Sequence, residues 1–146
     1  FSALVEPRAT TDIDLLILLD SPSQQRIQSL VSQVFTSIIV HPRPMKLKGL
    51  SIWRCTGLHN THEVVVDFLL ADSEFLKSAL ARRRQIFLGS QQVATLALED
   101  LMLMKMIAGR LQDQADLEKI EMNKTQLQID WSYIEQWSAS LGLEKR

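Results

Sequence analysis

The stretch Asp12-Ile-Asp-Leu-Leu-Ile-Leu-Leu19 decides the fold class. Two acids enter a short apolar run, and Asp20-Ser-Pro-Ser follows it with turn-forming residues. A run of this length, closed by such a turn, predicts a buried strand. Side chains alternate along a strand, so Asp12 and Asp14 share one face while Ile13 and Leu15 take the other. Two carboxylates ~7 Å apart on an apolar strand are costly unless a cation joins them. Mg²⁺ prefers carboxylate oxygens and substrate phosphates, which makes a hard divalent cation the natural partner. Taken alone, an Asp-x-Asp pair is also met at strand ends and helix caps.

Downstream, the period changes. Ile27, Leu30, Val31, Val34 and Phe35 recur on one helical face, with Ser21 or Ser23 as a cap and Pro22 in the first turn. His41-Pro-Arg-Pro44 breaks the chain. Leu50 to Cys55 alternates as a strand, Gly57 to Glu63 reads as a polar turn, and Val64 to Leu70 (VVVDFLL) reads as a second buried strand, so the two form a hairpin. Asp67 lies inside that apolar run, where aspartate is depleted and needs a reason. One reason is a metal; another is an ion pair with an arginine.

Ser73 to Arg83 predicts a helix with Phe75, Leu76, Ala79 and Leu80 inward. Short strands follow on either side of Gly89-Ser90. Glu99 to Ala108 predicts a strongly apolar helix ended by Gly109. Helices over 113–122 and 130–141 complete the chain, the last with Trp131, Ile134, Trp137 and Leu141 on one side. The expectation is α+β: a mixed sheet flanked by helices, then C-terminal helices. A single domain is expected, with a sheet-containing part over 1–97 and a helical part over 98–146.

Composition agrees with one globular unit: 146 residues, 46% hydrophobic and 23% charged. A formal net charge of -1 gives no overall basic face for nucleic acid, although Arg82, Arg83 and Arg84 are adjacent. The lone Cys55 forms no internal disulfide and fits a reducing cytosol. No apolar run approaches a membrane span of about 20 residues. The opening Phe1-Ser-Ala-Leu reads like the end of a helix that begins upstream.

Two longer motifs sharpen the function. Glu6-Pro-Arg-Ala-Thr-Thr-Asp-Ile-Asp-Leu-Leu resembles the P-R-x-T-x-D-I-D signature of small bacterial and archaeal nucleotidyltransferases, which have the DNA polymerase beta-like nucleotidyltransferase fold. Leu98-Glu-Asp-Leu and the following Lys105, Ala108-Gly-Arg110, Asp113 and Asp116 resemble the P-E-D-L-x-x-x-K-x-x-A-G-R-x-x-D-x-x-D stretch of the same group. The Asp130-Trp-Ser-Tyr-Ile-Glu segment resembles its C-terminal element. The nearest branch holds the nucleotidyltransferase toxins of type IV toxin–antitoxin, abortive-infection systems.

The resemblance implies Asp12, Asp14 and Asp67 as catalytic ligands of Mg²⁺ or Mn²⁺. It implies Arg8, Thr10, Lys105, Arg110 and Asp113 as substrate contacts to a nucleoside triphosphate such as ATP. Asp113 and Asp116 either hold Lys105 or Arg110 in place or face an acceptor. Lys105 is expected to leave the core toward the phosphates, as a cation in a helix of Leu and Met; otherwise it snorkels at the surface. The acceptor is a hydroxyl on a protein, an RNA or a small molecule, and an antitoxin or a second copy is an expected partner. The group's Gly-Gly or Gly-Ser loop would fall upstream of Phe1. Leu98 and Leu111 stand where the group often has proline. Without that loop, the alternative is a non-catalytic interaction module of the same fold. A phosphohydrolase on the same site is a third reading, for which no water-positioning group stands out.

Other residues read as scaffold. His41, His59 and His62 lack zinc-site spacing. Met102, Met104, Met106, Trp131 and Trp137 read as packing, Arg82 to Arg84 as a solvated helix end, and Cys55 as inert.

Overall fold

The computed structural model describes residues 12–143. Among them the chain divides into two compact units, residues 12–80 and 81–143. The division falls after Leu80, so a β-hairpin that precedes residue 98 belongs with the C-terminal helices.

The first unit is built on a five-stranded mixed sheet. Its strands are β1 (Asp12–Ile17), β2 (Ser37–Val40), β3 (Met45–Leu47), β4 (Leu50–His59) and β5 (His62–Leu70), in the order β1-β5-β4-β2, with β3 also on β4. β1 runs parallel to β5, and the other pairings are antiparallel. Helices α1 (Gln24–Val31) and α2 (Glu74–Ala81) complete this part of the chain. Ser23 caps α1 by accepting from the Arg26 N–H at 3.1 Å.

Period-two alternation sorts the sheet into two faces. Trp53, Cys55, Val66, Phe68 and Leu70 join Ile27 and Val31 of α1 and Val40 of β2 in the buried core, with Ile17 and Phe35 packed against it. The opposite face carries Asp12 and Asp14 of β1, Asp67 of β5 and Arg54 of β4. One face supplies the burial that stabilises the sheet, and the other is left for polar groups.

The hairpin differs from its expected form. β4 and β5 continue through the polar segment, and the turn is only Asn60-Thr61, both with positive φ (49° and 67°). Two central residues with positive φ make a type I′ turn, whose twist matches the flanking strands. β2 and β3 flank the His41–Pro44 break, where no strand was expected. α1 stops at Val31, so Val34 and Phe35 are not helical. Phe35 instead closes over Gly57, where a Cβ would stand 2.6 Å from its ring.

The second unit contains hairpin β6 (Arg84–Leu88) and β7 (Gln91–Thr95), then α3 (Leu98–Ala108), α4 (Leu111–Met122) and α5 (Trp131–Leu141). α3 packs against both α4 and α5. Gly109 (φ 62°) ends α3 in the left-handed conformation, and Asp130 caps α5 by accepting from the Tyr133 N–H at 3.1 Å. Leu103 and Ile120 are fully buried, whereas Trp131 is 43% exposed and does not join the packed side of α5. No helix among the described residues is long and apolar enough to cross a membrane.

Candidate functional site

Register places three charged side chains in one row across the sheet. Asp14 is opposite Asp67 in the parallel β1–β5 ladder, and Arg54 is opposite Asp67 in the antiparallel β4–β5 ladder. Asp12 lies two residues before Asp14, opposite Val65 on the same face. The three acids named from sequence therefore occupy adjacent strands on one side of the sheet. Like charges facing each other across a ladder repel, and the row includes a cation that opposes this.

That cation is Arg54. Its Nε donates to Asp67 Oδ1 and its Nη2 to Asp67 Oδ2, both at 2.8 Å. This is the bidentate fork that guanidinium makes with carboxylate. The hydrogen bonding to Asp67 is the largest influence holding the Arg54 proton more tightly than usual. The charge of Asp67 follows, and Asp12 and Asp14 add to it in the same direction. Arg54 thus feels all three carboxylates. Asp67 itself is only 7% exposed, whereas the Arg54 side chain is 46% exposed. The buried acid is held in place by a cation with a route to solvent.

For a metal, the donor types fit and their arrangement does not. Carboxylate oxygens suit Mg²⁺ or Mn²⁺, but both oxygens of Asp67 are engaged by Arg54. Among the described residues, no three His, Cys, Asp or Glu side chains are grouped as a metal would need them. Arg8 and Thr10 lie outside the described residues.

Arg54 was not singled out in the sequence. The available signal was the turn: once it is set at Asn60-Thr61, Arg54 and Asp67 fall the same distance on either side and pair across the hairpin. On the core face, Trp53 donates its Nε1–H to the His41 carbonyl at 2.6 Å. The buried Cys55 thiol is pushed up to about 11, first by desolvation and then by the charge of Asp67.

Lys105, Arg110 and Asp113 come together in the second unit. Lys105 does not leave the core: it is 8% exposed, and its Nζ lies 2.6 Å from Asp116 Oδ2 and 3.7 Å from Asp113 Oδ1. Two buried acids on α4 give it a partner inside, so neither an outward-pointing nor a snorkelling lysine is formed. Gln112 donates to the other Asp116 oxygen at 2.9 Å, and Arg110 Nε donates to Asp113 Oδ2 at 2.7 Å. The motif closes on itself, with α4 acids satisfying an α3 lysine.

A second ionic knot lies nearby in the same unit. Arg82 is not a solvated helix end. It donates to Asp100 at 3.0 Å and Glu99 at 3.2 Å and lies 3.7 Å from the centroid of the Tyr133 ring. Burial alone would lower the affinity of Arg82 for its proton, but the hydrogen bond to Asp100 and the surrounding negative charge raise it. Glu99 also accepts from the Asp130 backbone N–H at 3.1 Å, tying α3 to the start of α5.

Comparison of the chain with protein-family models and with curated proteins gave no match.

Proposed function

We propose that the chain is a nucleotidyltransferase domain that moves a nucleoside monophosphate from a nucleoside triphosphate to an acceptor hydroxyl. The observation that carries this reading is the register of Asp14 with Asp67, with Asp12 on the same face. Three carboxylates gathered from two parallel strands suit phosphoryl chemistry better than they suit stability. A bound Mg²⁺ or Mn²⁺ would neutralise charge on the phosphate oxygens during transfer.

In this reading Asp12, Asp14 and Asp67 would hold the cation only in an arrangement other than the one described, in which Arg54 engages both Asp67 oxygens. Arg8 and Thr10 contact the triphosphate. Arg110, which the second motif implies as a substrate contact, has a side chain that is 68% exposed. Lys105 and Asp113 keep that motif rigid. The acceptor is a hydroxyl of a protein, an RNA or a small molecule, and the setting is a cytoplasmic one that includes a toxin–antitoxin pair. The resemblance of the P-R-x-T-x-D-I-D segment supports these assignments.

The test is to incubate the full chain with each labelled nucleoside triphosphate, with and without Mg²⁺, beside Asp14→Asn. Label entering protein or RNA only with Mg²⁺, and lost in the variant, is the expected result. Equal labelling by Asp14→Asn would overturn the role of the acidic set. One observation favours a second reading, a non-catalytic module of the same fold: Arg54 already holds Asp67. That reading expects no labelling with any nucleotide.

A further inference from the structure

The β6–β7 hairpin of the second unit ends in an open edge. Its turn is Gly89-Ser90, with Gly89 at φ 61°, so Leu88 and Gln91 are the closing pair. The ladder continues through Phe87–Gln92, Ile86–Val93 and Gln85–Ala94 to Arg84–Thr95. In a two-residue hairpin the closing pair exchanges both its hydrogen bonds, and bonded and non-bonded pairs then alternate. Gln91, Val93 and Thr95 therefore bond inward to β6, while the backbone N–H and C=O groups of Gln92 and Ala94 point away from it. Among the described residues no hydrogen bond ties those groups to another segment, and both residues are exposed.

Folded chains commonly block a free edge with charge or proline. The other described edge strands have such blocks. β1 carries Asp12 and Asp14, β3 contains Lys46, β6 starts at Arg84 beside Arg83, and the four-residue β2 runs into His41-Pro42. β7, Gln91-Gln-Val-Ala-Thr95, has neither charge nor proline. A two-stranded hairpin is also marginal by itself, and further strands stabilise it. We infer that β7 pairs with β7 of a second copy of the chain, antiparallel about a two-fold axis at Val93. In this register every outward group is used. Gln92 exchanges both bonds with Ala94 of the second copy, Ala94 does so with Gln92, and the two Val93 residues meet as a non-bonded pair. A shift of two residues instead sets Ala94 opposite Ser90 of the turn, or Gln92 opposite Leu96 beyond the strand. No charge faces a like charge across the axis, whereas a charged partner strand would find no counter-charge on β7. The product is one four-stranded sheet, β6-β7-β7-β6, with the exposed Phe87, Gln92 and the second copy's Ala94 in one row on one face. Five residues a side fall short of the roughly 20–30 of a standard interface, so the dimer is weak, with Kd between about 10 µM and 1 mM. The inference does not depend on the nucleotidyltransferase reading.

The first measurement is sedimentation velocity of the full chain from about 10 µM to about 1 mM. Wild type should pass from monomer toward dimer across that range, and Ala94→Pro should stay monomeric. Proline at this position removes an outward N–H and leaves the bonds to β6 in place. Circular dichroism and a thermal melt check that the variant folds. The second measurement is disulfide crosslinking in a Cys55→Ala background. Val93→Cys sets two thiols across the axis at the ~4.5 Å Cα spacing of a non-bonded pair, within disulfide reach. Gln92→Cys sets them on a diagonal of ~7–8 Å, beyond it. Under mild oxidation Val93→Cys should form linked dimer about tenfold faster than Gln92→Cys.

A monomer throughout the concentration range would overturn the inference, and so would a dimer that Ala94→Pro leaves intact. If Ala94→Pro fails to fold, the crosslinking rates decide: linking of Val93→Cys well ahead of Gln92→Cys supports pairing about Val93, and equal rates overturn it.

Discussion

Asp67 in the sheet unit and Asp116 in the helical unit are both interior acids held by a cation, and they are held in different ways. Asp116 is fully buried, and its partner Lys105 is nearly so, with Gln112 on the remaining oxygen. Asp67 is paired with an arginine whose side chain is half in water, and Asp14 adjoins it in the ladder. In the helical unit every member of the pair would be stranded by separation. In the sheet unit one member can be solvated at once. The first arrangement ties two helices together, and the second leaves its cation open to solvent.

Breaking the scaffold should have the largest effect on stability. Lys105→Met leaves Asp116 and Asp113 without their lysine, and removing one partner of a buried pair costs about 3–5 kcal/mol. Urea denaturation should show that loss, and replacing Asp116 by Leu in the same chain should recover part of it. A cost below about 1 kcal/mol would place Lys105 with exposed ion pairs and remove the contrast.

Gly57→Ala tests the other unit through its core rather than its charges. The new Cβ would meet the Phe35 ring at 2.6 to 2.7 Å. Overpacking of this kind costs about 1–3 kcal/mol, and Phe35→Leu in the same chain should relieve it. An additive double variant would show that the ring and the glycine are not coupled.

Asp14→Asn should change metal-free stability by no more than about 0.5 kcal/mol, since Asp14 is exposed. Its thermal midpoint should stay level or rise. A large drop would move Asp14 into the same class as Asp116 and end its reading as a ligand.

At neutral pH the smallest effect concerns Cys55. A thiol pushed up to about 11 keeps its proton in the folded chain while the unfolded chain loses it near 9. The unfolded state is therefore favoured as pH rises from about 9 to about 11, and this loss should be absent in Cys55→Ala. At pH 8 the native thiol should react with a disulfide reagent far more slowly than in urea. Equal rates would mean that the core face around Val66 opens readily.

Legibility followed the strength of local signals. β1 was readable as a strand because a turn follows its apolar run, but not as an edge strand: it was expected to be buried, and residues 12–15 are exposed. α3 and α5 were readable from Gly109 and Asp130 at their ends. β2 and β3 were not, because they are short, partly exposed and interrupted by Pro42 and Pro44. The helix through Ile27 appeared longer than α1, because Val34 and Phe35 keep the apolar spacing after the backbone has left the helix. Arg54 and Lys105 were missed or misplaced for a shared reason. Each is defined by a partner on another element, and single-strand parity or single-helix periodicity does not carry that pairing.

The parallel pairing of β1 with β5 has a consequence for how the chain assembles. Arg54 and Asp67 are 13 residues apart and are joined by a two-residue turn, so their ion pair can form while the hairpin is still isolated. Asp14 reaches Asp67 only after the chain between β1 and β5 has closed, and that larger loop costs more entropy. The acidic strand should therefore dock late, onto a hairpin whose own acid already has a cation. Arg54 would then act first as an escort during folding, easing the approach of a negatively charged edge strand to a partner that would otherwise repel it.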